Sequence, residues 1–113
     1  MSETYSWEEA LNTSEELLKA ILATVARSTF PPAALARIVA PTAGSEKQLL
    51  AYNLCDGETP QADICKKAKL DKGSFSRSVS KWIEAGVVVR VGKDQLPLHV
   101  YPLTNNAAKG ENK

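Results

Sequence analysis

Two short helical patterns follow each other near the middle of the chain, and the short break between them constrains the fold more than any other feature. Pro60 suits the start of a helix over residues 60–68, because its missing N–H would have no helical partner there. Asp71 can cap a second helix over residues 71–85, which Gly86 then ends. Two helices joined by so short a turn predict a helix-turn-helix.

Apolar spacing predicts the buried face of each of these helices. Thr59 is the expected N-cap of the first helix. Ile64, Cys65 and Ala68 then face inward together, and small side chains at two of these three places let another helix cross closely. On the second helix, the predicted buried residues are Phe75, Val79, Trp82 and Ile83.

A β-hairpin is predicted directly after the second helix. Val87–Val91 is a β-branched run that favours a strand, and residues 92–95 supply a turn. Leu98, Val100 and Leu103 then lie in a second candidate strand. A hairpin in this position would form the wing of a winged helix-turn-helix.

An amphipathic helix is predicted near the N-terminus. Either Ser6 or Thr13 can start it with a capping box, and apolar residues recur at three- and four-residue steps to about Ser28. Pro31 and Pro32 stop it. Its apolar face either completes the core of the monomer or pairs with a second copy, and the sequence favours neither reading clearly.

Two more short helices are expected between this helix and the helix-turn-helix. One covers Ala33–Ala40 and is ended by Pro41; the other starts at a capping box on Ser45 and ends near Gly57. The predicted fold class is therefore mainly α, an α+β arrangement with a two-stranded β-wing. The expected parts are an N-terminal helical segment (1–44), a winged helix-turn-helix (45–104) and a flexible polar tail (105–113).

Charge is divided unevenly along a chain whose net charge is only +1. Residues 1–58 carry four basic and eight acidic side chains, a net charge of −4, whereas residues 59–113 carry ten basic and five acidic ones, a net charge of +5. A polyanion is therefore expected to approach the C-terminal half.

The second helix of the predicted pair offers basic and hydroxyl side chains on its outward face. Arginine can bond bidentately to guanine, lysine binds phosphate, and serine lets a helix backbone approach base edges closely. Lysines on the preceding helix and turn would neutralise flanking phosphates, and basic residues of the wing would reach the adjacent minor groove or its backbone. The predicted DNA-contacting residues are Lys66, Lys67, Lys69, Lys72, Ser74, Ser76, Arg77, Ser80, Lys81, Arg90 and Lys93.

This part of the chain resembles the winged helix of the multiple-antibiotic-resistance-regulator (MarR) family over the segment TPQADICKKAKLDKGSFSRSVSKWIEAGVVVRVG, and LTNNAAKG resembles the family's exit from the wing into its last helix. The resemblance covers residues 45–110. It implies that Arg77 contacts the duplex and that the serines around it lie in the major groove. Family members usually carry an Asp-x-Arg pair at the wing; no arginine lies two places after Asp94, so Lys93 or Arg90 would have to replace it.

The function predicted from these features is sequence-specific binding of double-stranded DNA by a transcription regulator that inserts helix 71–85 into the major groove. Because the dimerising C-terminal helices of the MarR family have little room after Leu103, pairing of two copies is expected to fall to the N-terminal helix. A two-fold homodimer would read a pseudo-palindrome with half-sites about 10 to 10.5 base pairs apart. The alternatives are a winged-helix protein-interaction module in a larger assembly and a sequence-tolerant architectural DNA binder.

Catalysis is not expected, because no nucleophile and base pair, phosphate-binding loop or metal-ligand cluster is visible, and no cofactor or metal is implied. His99 is expected to be a surface residue of the wing, and Cys55 and Cys65 to be reduced, buried thiols. The absence of a signal segment or of a long apolar run predicts a cytoplasmic, nucleoid-associated protein with no membrane contact. Whether a small-molecule effector binds is left open.

Overall fold

A computed structural model describes residues 6–42 and 46–103 of the chain. Within these residues five helices precede a two-stranded antiparallel sheet, so the predicted fold class, mainly α in an α+β arrangement, is confirmed. Ser45 and the predicted tail, 105–113, lie outside the described residues. The elements are α1 (Trp7–Thr29), α2 (Pro32–Val39), α3 (Glu46–Asn53), α4 (Gln61–Ala68), α5 (Lys72–Ala85), β1 (Val88–Val91) and β2 (Leu96–His99).

Of the two candidate capping boxes, the one at Ser6 starts α1. The Ser6 hydroxyl accepts a hydrogen bond from the Glu9 amide at 3.0 Å, and the Glu9 carboxylate accepts one from the Ser6 amide at 3.3 Å. Thr13 lies inside the helix instead. The 23-residue helix ends at Thr29, two residues before the proline pair.

The core lies between α2, α3, α4, α5 and the hairpin. Tyr52 of α3 meets the edge of Trp82 of α5 with ring centroids 5.6 Å apart, and Phe75 packs against the same indole at 5.9 Å. The residues predicted to face inward from α4 are buried, as are Phe75, Val79 and Trp82 of α5, and Ile83 is half-buried beside them. The predicted packing faces of these two helices are therefore confirmed.

Helix α1 contributes little to this core. Ala26 is its one buried residue, and Leu22 and Ala23 are half-buried against the core. Of the two expectations for its apolar face, completion of the core therefore holds for one side of the last turns, while six large apolar residues stay exposed: Trp7, Leu11, Leu17, Leu18, Ile21 and Val25. None of the described helices combines the length and apolar character needed to cross a membrane.

Strand β2 lies between β1 and a short segment that follows α3. Val88 pairs with His99 and Val91 with Leu96 in the hairpin. On the other edge of β2, the His99 amide donates a hydrogen bond to the Cys55 carbonyl at 2.8 Å, and the Gly57 amide donates one to the Pro97 carbonyl at 2.9 Å. The prediction that the third helix runs to near Gly57 is wrong, because this pairing draws the chain out of the helix after Asn53.

Thr59 was expected to cap α4, and this prediction is wrong. Its amide and hydroxyl donate to the carboxylate of Asp56, at 2.9 and 3.2 Å, so the threonine closes a turn before the helix; Pro60 occupies the N-cap position without a side-chain bond. Burial raises the pKa of Asp56, but these bonds and one from the Glu58 amide outweigh it and lower the pKa below its ordinary value.

The second strand is shorter than predicted. It ends at His99, so Val100 and Leu103 are buried outside it, although the Val100 amide still donates to the Val87 carbonyl at 3.0 Å. Cys55 and Cys65 are free and buried, as predicted. Burial raises the pKa of the Cys55 thiol to about 12, so it stays protonated at neutral pH.

His99, expected on the surface of the wing, is half-buried. Its Nδ1 lies 3.0 Å from the carbonyl oxygen of Tyr52, and the two rings lie 5.3 Å apart. Because a carbonyl oxygen only accepts, Nδ1 carries the proton of the neutral ring. Burial lowers the pKa of His99 below its ordinary value of 6.5, despite the opposing effect of this hydrogen bond.

Lowering the pH from about 7.5 to about 5 is expected to destabilise the protein through His99. Because the folded state has the lower pKa, the unfolded chain binds the proton first, and stability is lost as the pH falls below 6.5 until the folded pKa is reached. Protonation of Asp56 adds to this loss of stability only when the pH falls below its ordinary pKa of 3.8, because its pKa is lowered in the folded state. Urea denaturation of wild type and His99→Asn, which keeps a donor near the Nδ1 position, at both pH values tests this. An undiminished pH effect in the variant would contradict the assignment.

Candidate nucleic-acid interface

The turn between α4 and α5 is fixed by backbone capping and one apolar anchor. Lys69 adopts the left-handed conformation, with φ 57° and ψ 47°, and its amide caps the end of α4. The Leu70 amide donates to the Cys65 carbonyl at 3.0 Å, and the half-buried Leu70 side chain packs against the core. These contacts hold the two helices in one relative orientation.

The first turn of α5 is built around Asp71. As predicted, its carboxylate caps the helix by accepting from the Ser74 amide at 3.0 Å. A Cβ at Gly73 would lie 3.2 Å from this carboxylate, so the glycine leaves room for the cap and keeps the surface of the helix low. The Ser74 hydroxyl accepts from the Arg77 guanidinium at 3.3 Å, which orients the arginine along the helix.

The outward face of α5 carries a strip of small residues beside basic ones. Gly73, Ser76 and Ser80 follow each other at steps of three and four, so they lie on one face, and all three are exposed. Arg77 lies on the same strip, while Lys72 and Lys81 flank it. Because the residues of this strip are small and the side chains that border it are long and basic, the backbone of the helix can approach a polyanion closely.

The lysines before α5 extend this basic surface. Lys66 and Lys67 lie exposed in the last turn of α4, and Lys69 is exposed in the turn. In the described ranges the one salt bridge joins Lys19 to Glu58, at 3.8 Å, and it lies outside this surface. The positive charges of α4, the turn and α5 are therefore not neutralised by ion pairs within the described chain.

Arg90 in β1 connects the hairpin to α4. Its guanidinium donates to the Gln61 side-chain oxygen at 3.3 Å and to the Gln95 carbonyl at 3.2 Å. Gln95 itself has φ 55° and bonds back to Gly92, which closes the hairpin turn. Lys93 is exposed in the same turn, so it is the cation that the hairpin presents at its tip.

The structure thus places ten of the eleven predicted contact residues on the exposed surface and leaves Ser74 half-buried. The two arginines among the predicted contact residues make side-chain hydrogen bonds within the chain, Arg77 to Ser74 and Arg90 to Gln61. Sequence reasoning missed Gln61, because no local pattern marks a residue whose partner lies 29 positions away. Among the described residues, no group of three or more His, Cys, Asp and Glu side chains is placed to hold a metal ion.

The surface defined by α4, α5 and the hairpin is the part of the molecule that carries the resemblance to the MarR family. The described part ends at Leu103, so the stretch that resembles the exit into a last helix is not described beyond that residue. The resemblance stays a prediction from the residues. In comparisons with known proteins, no family model, no curated protein and no solved structure matches this chain.

Proposed function

We propose that this chain is a transcription regulator that binds double-stranded DNA through a winged helix-turn-helix formed by α4, α5 and the β1–β2 hairpin. Helix α5 would enter the major groove, with the hairpin as the wing. The observation that carries this proposal is the division of α5 into a buried aromatic face and an exposed strip of small residues beside Arg77, free of salt bridges among the described residues.

The chemistry of this strip suits the edges of base pairs. Arg77 can donate two parallel hydrogen bonds to guanine, and the hydroxyls of Ser76 and Ser80 can donate to or accept from either strand. Ser76 and Arg77 lie in the first half of α5, the part of a recognition helix that contacts bases, and Ser80 lies one turn further on. Two carboxylates border this face and would repel a phosphate, the capping carboxylate of Asp71 beside Gly73 and that of Glu84 near the end of α5.

The surrounding cations suit the phosphate backbone. Lys66, Lys67 and Lys69 lie on the helix and turn that precede α5, where phosphate contacts would set the register of α5 on the duplex. Lys93 at the hairpin tip would contact the neighbouring backbone or minor groove. Arg90 holds the hairpin to α4 through Gln61, so we assign it the positioning of the wing in addition to any contact with DNA.

Binding of a random duplex at rising salt concentration tests the electrostatic part of the proposal. We expect the logarithm of the binding constant to fall linearly with that of the salt concentration, by about 0.9 for each phosphate neutralised. Replacing Arg77 and Lys81 together by alanine should flatten this slope by up to roughly 1.8 for each bound chain, whereas Arg37→Ala, which removes an exposed charge of α2 outside the interface, should leave it unchanged. No binding to any duplex at low salt would refute the proposal.

Selection of bound sites from a random duplex library tests its specificity. We expect the wild type to enrich one sequence that contains a guanine contacted by Arg77. The same selection with Arg77→Ala should lose the preference for guanine at that position. Enrichment of no sequence, despite binding, would favour a sequence-tolerant architectural protein. Absence of duplex binding together with capture of an acidic protein segment by the same lysines would favour a protein-interaction module.

A further inference from the structure

Helix α1 exposes a stripe of large apolar residues along one side. Trp7, Leu11, Leu18, Ile21 and Val25 are 83%, 60%, 65%, 57% and 60% exposed, although all are large hydrophobic residues. They follow each other at steps of four, seven, three and four, and a serine at position 14 fills the one gap. Soluble monomers rarely expose contiguous apolar patches of this kind, so such a stripe marks a contact surface.

The spacing of the stripe is that of a coiled-coil seam. Positions 7, 11, 14, 18, 21 and 25 alternate steps of four and three, the a and d positions of a heptad repeat. The residues of α1 that pack against the core border this stripe on one side: Leu22 follows Leu18 by four residues, and Ala26 lies about 80° around the helix from Leu18. The core of the same chain therefore covers one margin of the apolar face of α1 and leaves the stripe exposed.

We propose that the α1 stripe of a second copy of this chain covers this face, with the two helices antiparallel about a two-fold axis. The direction follows from charge. The first half of α1 carries four carboxylates and no cation, whereas the second half carries Lys19 and Arg27 and no carboxylate. Parallel helices would place all four carboxylates of one copy beside those of the other, whereas antiparallel helices move Glu8 and Glu9 to the half of the partner that carries Arg27 and also oppose the helix dipoles.

The side chains of the stripe fit this arrangement when the two-fold axis passes near Glu16. Trp7 then lies opposite Val25 of the second copy, Leu11 opposite Ile21, and Ser14 opposite Leu18. Large residues thus face smaller ones at the ends and in the centre, as close packing of two helices requires. The paired segment spans 18 residue steps, about 27 Å of helix.

A lipid surface is a poor match for the same stripe. Amphipathic helices that lie on membranes carry lysine and arginine on the polar face, which attracts anionic lipids. Glu8, Glu9, Glu15 and Glu16 give the polar side of α1 a net negative charge in its first half, where Trp7 and Leu11 would have to insert. Charge therefore favours a protein helix with a basic end, which α1 of a second copy supplies.

Light scattering of the full chain after size-exclusion chromatography tests the pairing. We expect twice the chain mass of 12.2 kDa in wild type. Leu18→Glu and Leu11→Lys should each raise the dissociation constant of the dimer by at least about tenfold, with the helical circular dichroism spectrum of a folded chain, because both positions are exposed. Thr13→Glu, exposed about 140° around the helix from Leu18, is the matched control and should stay dimeric. A wild-type monomer, or a dimer that both seam variants leave intact, would overturn the proposal.

A short thiol cross-linker tests the direction of the helices. Ser14→Cys lies near the proposed axis and should link the two copies, whereas two Ser28→Cys residues would be about 36 Å apart and should not link. Ser14 and Ser28 are exposed, and the native Cys55 and Cys65 are buried. Linking at both engineered positions would show parallel helices, and linking at neither would show that the stripe is not the interface. Both measurements are made without DNA, so their outcome is independent of the proposed function.

Discussion

Trp82→Ala is expected to lower the free energy of unfolding by about 3–5 kcal/mol, a large part of the stability of a domain of this size. The indole is 2% exposed and packs against Tyr52 of α3 and Phe75 of its own helix. Its removal leaves a cavity at the contact that holds α5 on the core. Urea denaturation followed by far-ultraviolet circular dichroism, which does not depend on the lost tryptophan, measures the change.

Lys81→Ala is the matched control for this variant. Lys81 is the neighbouring residue on the exposed side of α5, and its substitution should change the unfolding free energy by less than about 0.5 kcal/mol. The two variants also separate folding from DNA contact, since Lys81→Ala should weaken duplex binding while the fold stays intact. A loss below about 1 kcal/mol for Trp82→Ala would mean that α5 does not depend on this contact.

The double variant Tyr52→Phe with Asn53→Ala is expected to lower the unfolding free energy by about 2–4 kcal/mol. The Tyr52 hydroxyl donates to the Tyr101 carbonyl at 2.7 Å. The Asn53 side chain donates to the Leu103 carbonyl and accepts from the Leu103 amide, each at 2.8 Å. Together these three bonds attach the segment after β2 to the end of α3, and their loss leaves buried or half-buried backbone groups without partners.

Urea denaturation again measures the stability of this double variant, and faster hydrogen exchange at the Leu103 amide should locate the change. Asn12→Ala serves as the control, because Asn12 is an exposed asparagine on α1. Its replacement should change the stability by less than about 0.5 kcal/mol. Unchanged exchange at Leu103 in the double variant would show that the segment is held by its buried side chains alone.

Much of α4, α5 and the hairpin could be predicted from sequence, because the signals there are local. Asp71 caps α5 three residues before the amide that it bonds, and Gly86 ends the same helix in a left-handed conformation with φ 87°. The predicted buried residues of both helices follow from helical spacing. The prediction failed at Thr59, where a local competitor, the Asp56 carboxylate, takes the bonds that a cap would make.

The connections between distant segments could not be predicted in this way. Cys55 pairs with His99, and this draws the chain out of α3 and buries a histidine that the sequence placed on the surface. Arg90 was predicted as a DNA contact, and the structure adds its bonds to Gln61 on another element. Each of these contacts joins residues at least 29 positions apart, for which a single sequence carries no periodic signal.

Helix α1 best illustrates the difference between features that local sequence predicts and features that depend on distant contacts. A capped, amphipathic helix could be predicted there from local signals, because spacing and capping act within a few residues. The same signals could not determine which part of the apolar face would be covered, because a helical stripe has the same period whether it meets its own core or another chain. The packing of the other elements settles it: helices α2 to α5 and the hairpin bury Ala26 and half-bury Leu22 and Ala23, and the large apolar residues of the stripe, from Trp7 to Val25, stay exposed.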